Sequence, residues 1–171
     1  MRHMRVLIML WAVLMLLFAA PAAWAGTKGS DRPFRGYVAG EARFDDSNPK
    51  GCGLPFFITT LTEAHGQSSL LGQTHVSMEH CPGFGTIEDG RVVFTAANGD
   101  ELVASYEGWA SDVNAEGLIT GEADLTFDPD ESTGRFAGAH GDVTMEFAVV
   151  FEGFDDPAWA WSGWWHGTLS Y

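Results

Sequence analysis

The chain has 171 residues and a formal net charge of −14 at pH 7 with His counted neutral, from 9 Lys and Arg against 23 Asp and Glu. A surface of that sign repels phosphate backbones and anionic headgroups, so nucleic acid is excluded as an expected partner and so is docking on an anionic membrane. Keeping a secreted protein soluble is the plain use of such acidity, with metal capture or a cationic partner as the alternatives.

The N-terminus has three parts: a basic head with Arg2 and Arg5, an apolar run from Val6 to Ala20, and Ala23 and Ala25 as an A-x-A pair before Gly26. This is the pattern of a secretory signal peptide, with cleavage expected after Ala25. The apolar run is shorter than the ~20 residues a spanning helix needs, which sets a transmembrane anchor second; no membrane span is expected after cleavage. The expected location is secreted or periplasmic. Removing 25 of 171 residues leaves 146, a length that suits one domain over residues 26–171. It also removes two of the nine basic residues, taking the formal charge from −14 to −16.

Beyond that point the pattern is strand-like almost throughout, with no convincing helix. Strands are predicted at Phe34–Phe44, Leu54–Leu61 and Leu70–His80, separated first by the loop "DDSNPKGCG". "RVVFTAANGDELVASYEGWA" is a predicted hairpin, since Asn98-Gly99 tolerates the positive φ values of a two-residue type I′ turn. In "GLITGEADLTFDPD", Ile119, Ala123, Leu125 and Phe127 alternate with Thr120, Glu122, Asp124 and Thr126. "DPDESTG" is a loop, and a further strand is predicted over Gly134–Ala139. The clearest alternation follows in "GDVTMEFAVVFEG": Val143, Met145, Phe147, Val149 and Phe151 share one face, against Asp142, Thr144, Glu146 and Glu152 on the other. "GFDDP" then separates it from a last strand at Trp159–Tyr171. About eight short strands with Gly, Asn, Asp or Pro at their turns predict an all-β fold, an antiparallel eight-stranded barrel in preference to a sandwich because closure removes exposed edges.

Cys52 and Cys81 are the two cysteines. In an oxidising compartment an isolated pair reads as a disulfide, and neither a CxxC spacing nor basic surroundings favour a metal pair or a reactive thiol.

"GQTHVSMEHC" from Gly72, "TAANGDEL" from Thr95 and "TGRFAGAHG" from Thr133 together resemble the allene oxide cyclase and dirigent-like barrels, and more closely a group of secreted bacterial proteins with that barrel. The resemblance covers about residues 72–171, and its motifs are turns and packing positions. It implies an eight-stranded barrel with a central cavity, which in the plant relatives takes a hydrophobic epoxide or a phenolic radical. No catalytic residue is carried over by it. The oligomeric state stays open, a homo-oligomer being one that dirigent-like barrels often adopt.

Three constellations bear on chemistry. In "PAWAWSGWWHGTLSY", period two places Trp159, Trp161, Trp165, Leu169 and Tyr171 on one face and Trp164, His166 and Thr168 on the other. The four tryptophans suit either an apolar ligand pocket or the filling of the barrel where neighbours offer glycines, and filling carries more weight. His75, Glu79 and Cys81 share one face of a strand and His80 takes the other, a divergence that argues against a metal site. A buried His75 in the lumen is expected, and it is the candidate general acid or base if the lumen holds a site. The acidic loop from Asp128 lacks an EF-hand's sixth-position glycine and twelfth-position glutamate, with Thr133 and Ala139 in those places. No cofactor is implied, and no hydrolase or nucleotide motif is present. Three functions follow: a noncatalytic binder of a small apolar or aromatic molecule, a cyclase or isomerase of a hydrophobic substrate, or a structural protein with a filled barrel.

Overall fold

A computed structural model describes residues 30–45, Cys52 and 59–171. The proposed signal peptide and most of the predicted strand Leu54–Leu61 lie outside these residues. Eight antiparallel strands follow in chain order, β1 (Arg32–Asp45), β2 (Thr59–Ser68), β3 (Gly72–Pro82), β4 (Thr86–Ala96), β5 (Glu101–Ala110), β6 (Leu118–Phe127), β7 (Asp142–Val150) and β8 (Trp159–Leu169). Each pairs with the next, and β8 pairs with β1 to close the barrel. The protein is therefore an all-β, up-and-down, eight-stranded barrel. Among the described residues, closure gives each strand a neighbour on both sides.

Alternation assigns the two faces. Along β7, Val143, Met145, Phe147 and Val149 are buried while Asp142 and Val150 are exposed. Along β8, Trp159, Trp161 and Trp165 turn inward, and Trp164 is 38% exposed on the outer face. The inward rings are accommodated by glycines directly across the sheet. Trp165 pairs with Gly36, Phe147 with Gly121 and Tyr106 with Gly90. A Cβ on Gly36 would stand 2.1 Å from Trp165 Cζ2, and one on Gly121 would stand 2.2 Å from Phe147 Cζ. Each ring thus lies flat over a backbone with no side chain, the packing by which aromatic residues cover glycines in sheets.

Two local predictions are corrected. The segment Gly134–Ala139 is not a strand: Gly134–Phe136 is a single 3₁₀ turn in the β6–β7 connection. The reason lies in the glycines, since Gly134 and Gly138 have φ of +59° and +83°, values incompatible with an extended run. Phe136, fully buried, plugs that end of the barrel against Tyr171 at 5.1 Å between ring centroids. The β4–β5 hairpin has a three-residue loop, not a two-residue type I′ turn. Gly99 N–H donates to Ala96 O and Ala96 N–H to Asp100 O, each at 2.9 Å, and of the loop residues Gly99 alone has positive φ. That is a type I turn closed by a left-handed glycine, for which Asn-Gly serves equally well.

Cys52 and Cys81 form a disulfide, with Cα atoms 5.4 Å apart, tying the β1–β2 connection to the end of β3.

Candidate ligand-binding site

The two halves of the barrel are filled differently. At the end capped by Phe136, Phe34 contacts Phe94, Phe127 and Trp165 at centroid distances of 5.7–6.1 Å, and aromatic rings pack the interior. At the other end lies a cavity of about 700 Å³, bounded by the end of β1, the start of β2 and the β3–β4, β5–β6 and β7–β8 loops. Pockets of this size accommodate small organic ligands.

The cavity has two unlike walls. On the β7–β8 side stand Phe147, Phe151, Trp159 and Trp161, joined by Phe44 from β1 and Ile119 from β6. Trp161 lies parallel to Phe147, with 14° between planes. Trp159 is clamped between Phe44 and Phe151 at 4.8 and 5.0 Å, and its Nε1–H donates to Gly153 O at 2.9 Å, which fixes the indole. Across from them, β2, β3 and β4 contribute short polar groups: Thr60, Thr62, His80 and Thr86. Around the rim, Phe84 and Phe154 are each more than 80% exposed.

His80 is the titratable group on the polar wall, and it is held by a contact across an intervening strand. Its Nδ1 lies 2.8 Å from the hydroxyl of Tyr106 on β5, although β4 runs between them. Gly90 on β4 makes the contact feasible, because any Cβ there would stand 2.6 Å from Tyr106 Cδ2. Beside it, β4 carries a bulge: its register shifts against both β3 and β5, and Asp89 has φ of +51°. The extra residue moves the inward face from Ile87 to Gly90 and places the glycine over the tyrosine ring. Burial lowers the His80 pKa from its ordinary 6.5 to about 4, so the imidazole is neutral at neutral pH. Burial, and then the nearby Glu79 charge, push the Tyr106 phenol above its ordinary value of 10. The Tyr106 hydroxyl thus occupies Nδ1, and Nε2 is the ring's other polar atom.

The sequence-predicted site residues divide accordingly. Trp159 and Trp161 line the cavity, whereas Trp165 is packed into the half capped by Phe136 and Trp164 is outside the barrel. The expectation of a buried His75 in the lumen does not hold. Thr74, Val76 and Met78 take the inward positions of β3, so alternation sends His75 out, where Nε2 lies 2.7 Å from Glu63 Oε2 and the ring lies 4.6 Å from that of His65 at a tilt of 32°. The inward histidine is His80. Its one sequence signal was its opposite phase to His75; the partner Tyr106 and the glycine between them are legible only once β3, β4 and β5 are adjacent. Asp128, in the loop weighed for calcium, accepts hydrogen bonds from the backbone N–H groups of Asp130 and Glu131, as a turn residue does. Among the described residues no group of three His, Cys, Asp or Glu side chains is placed to hold a metal ion. No protein-family model, curated protein or solved structure matches the chain.

Proposed function

We propose that the protein binds a small apolar or aromatic molecule in the mouth of its barrel and does not transform it. The observation that carries this reading is the 700 Å³ cavity floored by Trp161 and Phe147, with Trp159 fixed at its side. A barrel serving structure alone gains from filling both ends, and this one is filled at one. A cyclase or isomerase would use a group that exchanges protons near neutrality. His80, the histidine at the cavity, is kept neutral by burial, which lowers its pKa to about 4. Export by the N-terminal segment, with residues 26–171 as the mature domain, belongs to the same proposal and is supported by the disulfide. So does kinship with the allene oxide cyclase and dirigent-like barrels, for which the closed eight-stranded architecture is the support.

Titration of tryptophan emission with a panel of aromatic and long-chain apolar compounds tests the reading. A saturable change that disappears in Trp161→Phe is expected; emission unchanged across the panel would count decisively against a ligand in the mouth.

A further inference from the structure

The outer wall of the barrel carries a pair of histidines that the mouth does not use. His65 on β2 and His75 on β3 stand directly opposite each other in the register, each beside buried residues of the opposite phase, Ala64 on one strand and Thr74 and Val76 on the other. His65 is exposed, and the His75 side chain is 39% accessible. Ala39 on β1 and Thr95 on β4 flank the pair in the same row, and both are short enough to leave the rings uncovered. The ring centroids are 4.6 Å apart.

That separation decides what the pair can hold. A metal ion sits ~2.0 Å from an imidazole nitrogen, and the ring centre lies about 1.1 Å further on. Two rings at right angles around one ion therefore have centres about 4.4 Å apart, and two at the tetrahedral angle about 5.1 Å. The observed spacing matches the right angle, which is the cis arrangement of tetragonal copper(II) or nickel(II). Copper(II) binds nitrogen donors most tightly of the first-row divalent ions. Among the described residues no group of three His, Cys, Asp or Glu is placed on one ion, so the wall supplies two nitrogens and water completes the coordination.

Glu63 holds one of the two rings. Its Oε2 lies 2.7 Å from His75 Nε2, and Ser77 Oγ donates to its Oε1 at 2.8 Å. An ionised carboxylate only accepts, so Nε2 donates to it and the neutral ring keeps its lone pair on Nδ1. A carboxylate behind a ligating histidine fixes the ring and raises its basicity. Glu41 on β1 pairs with Glu63 across the sheet, and this added negative charge favours a cation beside the rings. We propose that His65 and His75 form a surface site for copper(II), with one nitrogen from each ring and His75 presenting Nδ1, and that Glu63 is a positioning residue acting through His75. The site is separate from the cavity at the mouth and does not depend on what that cavity binds.

Copper(II) titration followed by calorimetry and ¹H–¹⁵N spectra tests the site, in protein carrying His3→Ala because His3 is the one histidine outside the described residues. One equivalent is expected to bind, and the amides around His65 and His75 should broaden before all others. Electron paramagnetic resonance of that complex should show nitrogen coupling from two imidazoles, and from one in His65→Ala. His65→Ala and His75→Ala are each expected to weaken binding at least tenfold, whereas His166→Ala, which removes a histidine elsewhere on the outer face, should leave it unchanged. Long-range ¹H–¹⁵N spectra of the metal-free protein should show neutral His75 protonated at Nε2, a preference that Glu63→Gln weakens together with a several-fold loss of affinity. Should a variant fail to fold, the spectra of the His65–His75 protein decide the matter by themselves. Broadening centred on another part of the chain, or equal affinity with and without the two histidines, would overturn the site. An unchanged tautomer and affinity in Glu63→Gln would overturn the role of Glu63.

Discussion

Lowering the pH from 7 to 5 should destabilise the barrel through His80 alone by an amount the structure sets. The imidazole has a pKa near 6.5 in the unfolded chain and about 4 in the folded one. Between those values the unfolded state binds a proton that the folded state refuses, so stability rises with pH across the window and is lost as pH falls. At pH 5 the unfolded imidazole is almost fully protonated and the folded one almost wholly neutral. At about 1.4 kcal/mol per unit of differential titration, the contribution of His80 falls by about 2 kcal/mol between pH 7 and pH 5. The many carboxylates also begin to titrate on the way down, so the raw curve mixes several terms. Urea unfolding of wild type and His80→Phe at several pH values removes the common part, and working at pH 5 and above keeps the protein clear of its isoelectric point near 4.5. The difference between the two stability curves is expected to close by about 2 kcal/mol over that range. Tyr106→Phe should keep the wild-type slope, because burial and not the phenol is the cause of the shift. Parallel curves for wild type and His80→Phe would refute the reasoning, since they would mean that His80 titrates alike in both states and is not held neutral by the fold.

Gly36→Ala places a methyl group 2.1 Å from the ring of the buried Trp165 and is expected to cost about 1–3 kcal/mol in chemical denaturation. Combined with Trp165→Leu, its additional cost should shrink, because the two positions share one contact. Reducing Cys52–Cys81, which closes a separation of 29 positions, should lower stability by about 3–4 kcal/mol, read as a shift in the urea midpoint with and without reductant. Trp164→Phe and His75→Ala alter the outer face, so both should leave ligand titrations unchanged, whereas Trp161→Phe removes the response. A lost response in either outer-face variant would place the site on the wrong side of the sheet.

Much of the barrel was legible from period two alone. Val143, Met145, Phe147 and Val149 alternate without interruption, and the structure buries those residues. Trp159, Trp161 and Trp165 were likewise separated from Trp164 by parity, and that separation holds because β8 runs without a bulge between them. Parity could not say which inward tryptophans meet empty space. That depends on what stands across the barrel, and residues far apart in sequence supply it: Phe34 and Phe94 for Trp165, Phe147 for Trp161. His75 was misplaced for a related reason. Its own strand fixes its phase, but histidine chemistry does not say which phase faces inward; the burial of the flanking Thr74, Val76 and Met78 decides it. The glycine-rich stretch from Thr133 shows the limit most plainly. Three glycines are compatible with a bent strand or with a turn, and only the positive φ at Gly134 and Gly138 separates the two.

The open mouth and the packed base share one device, an aromatic ring laid over a glycine, so that device does not decide which half is empty. Trp165 over Gly36 belongs to the base and Phe147 over Gly121 to the mouth. The difference lies in the opposing strands. Towards the base, β3 and β4 turn Val76, Val92 and Phe94 inward and meet the rings. Towards the mouth, β2 turns in Thr60 and Thr62 and β4 turns in Ile87, while Thr86 is exposed at the end of its strand. The bulge at Asp89 sits between Ile87, which lines the mouth, and Gly90, the next inward position below it. A side chain at Gly90 would meet the Tyr106 ring; the glycine admits that ring, whose hydroxyl lies 2.8 Å from His80 Nδ1. The contact that holds His80 therefore has its origin in the single extra residue of β4, and a change that restores the register of that strand should break it.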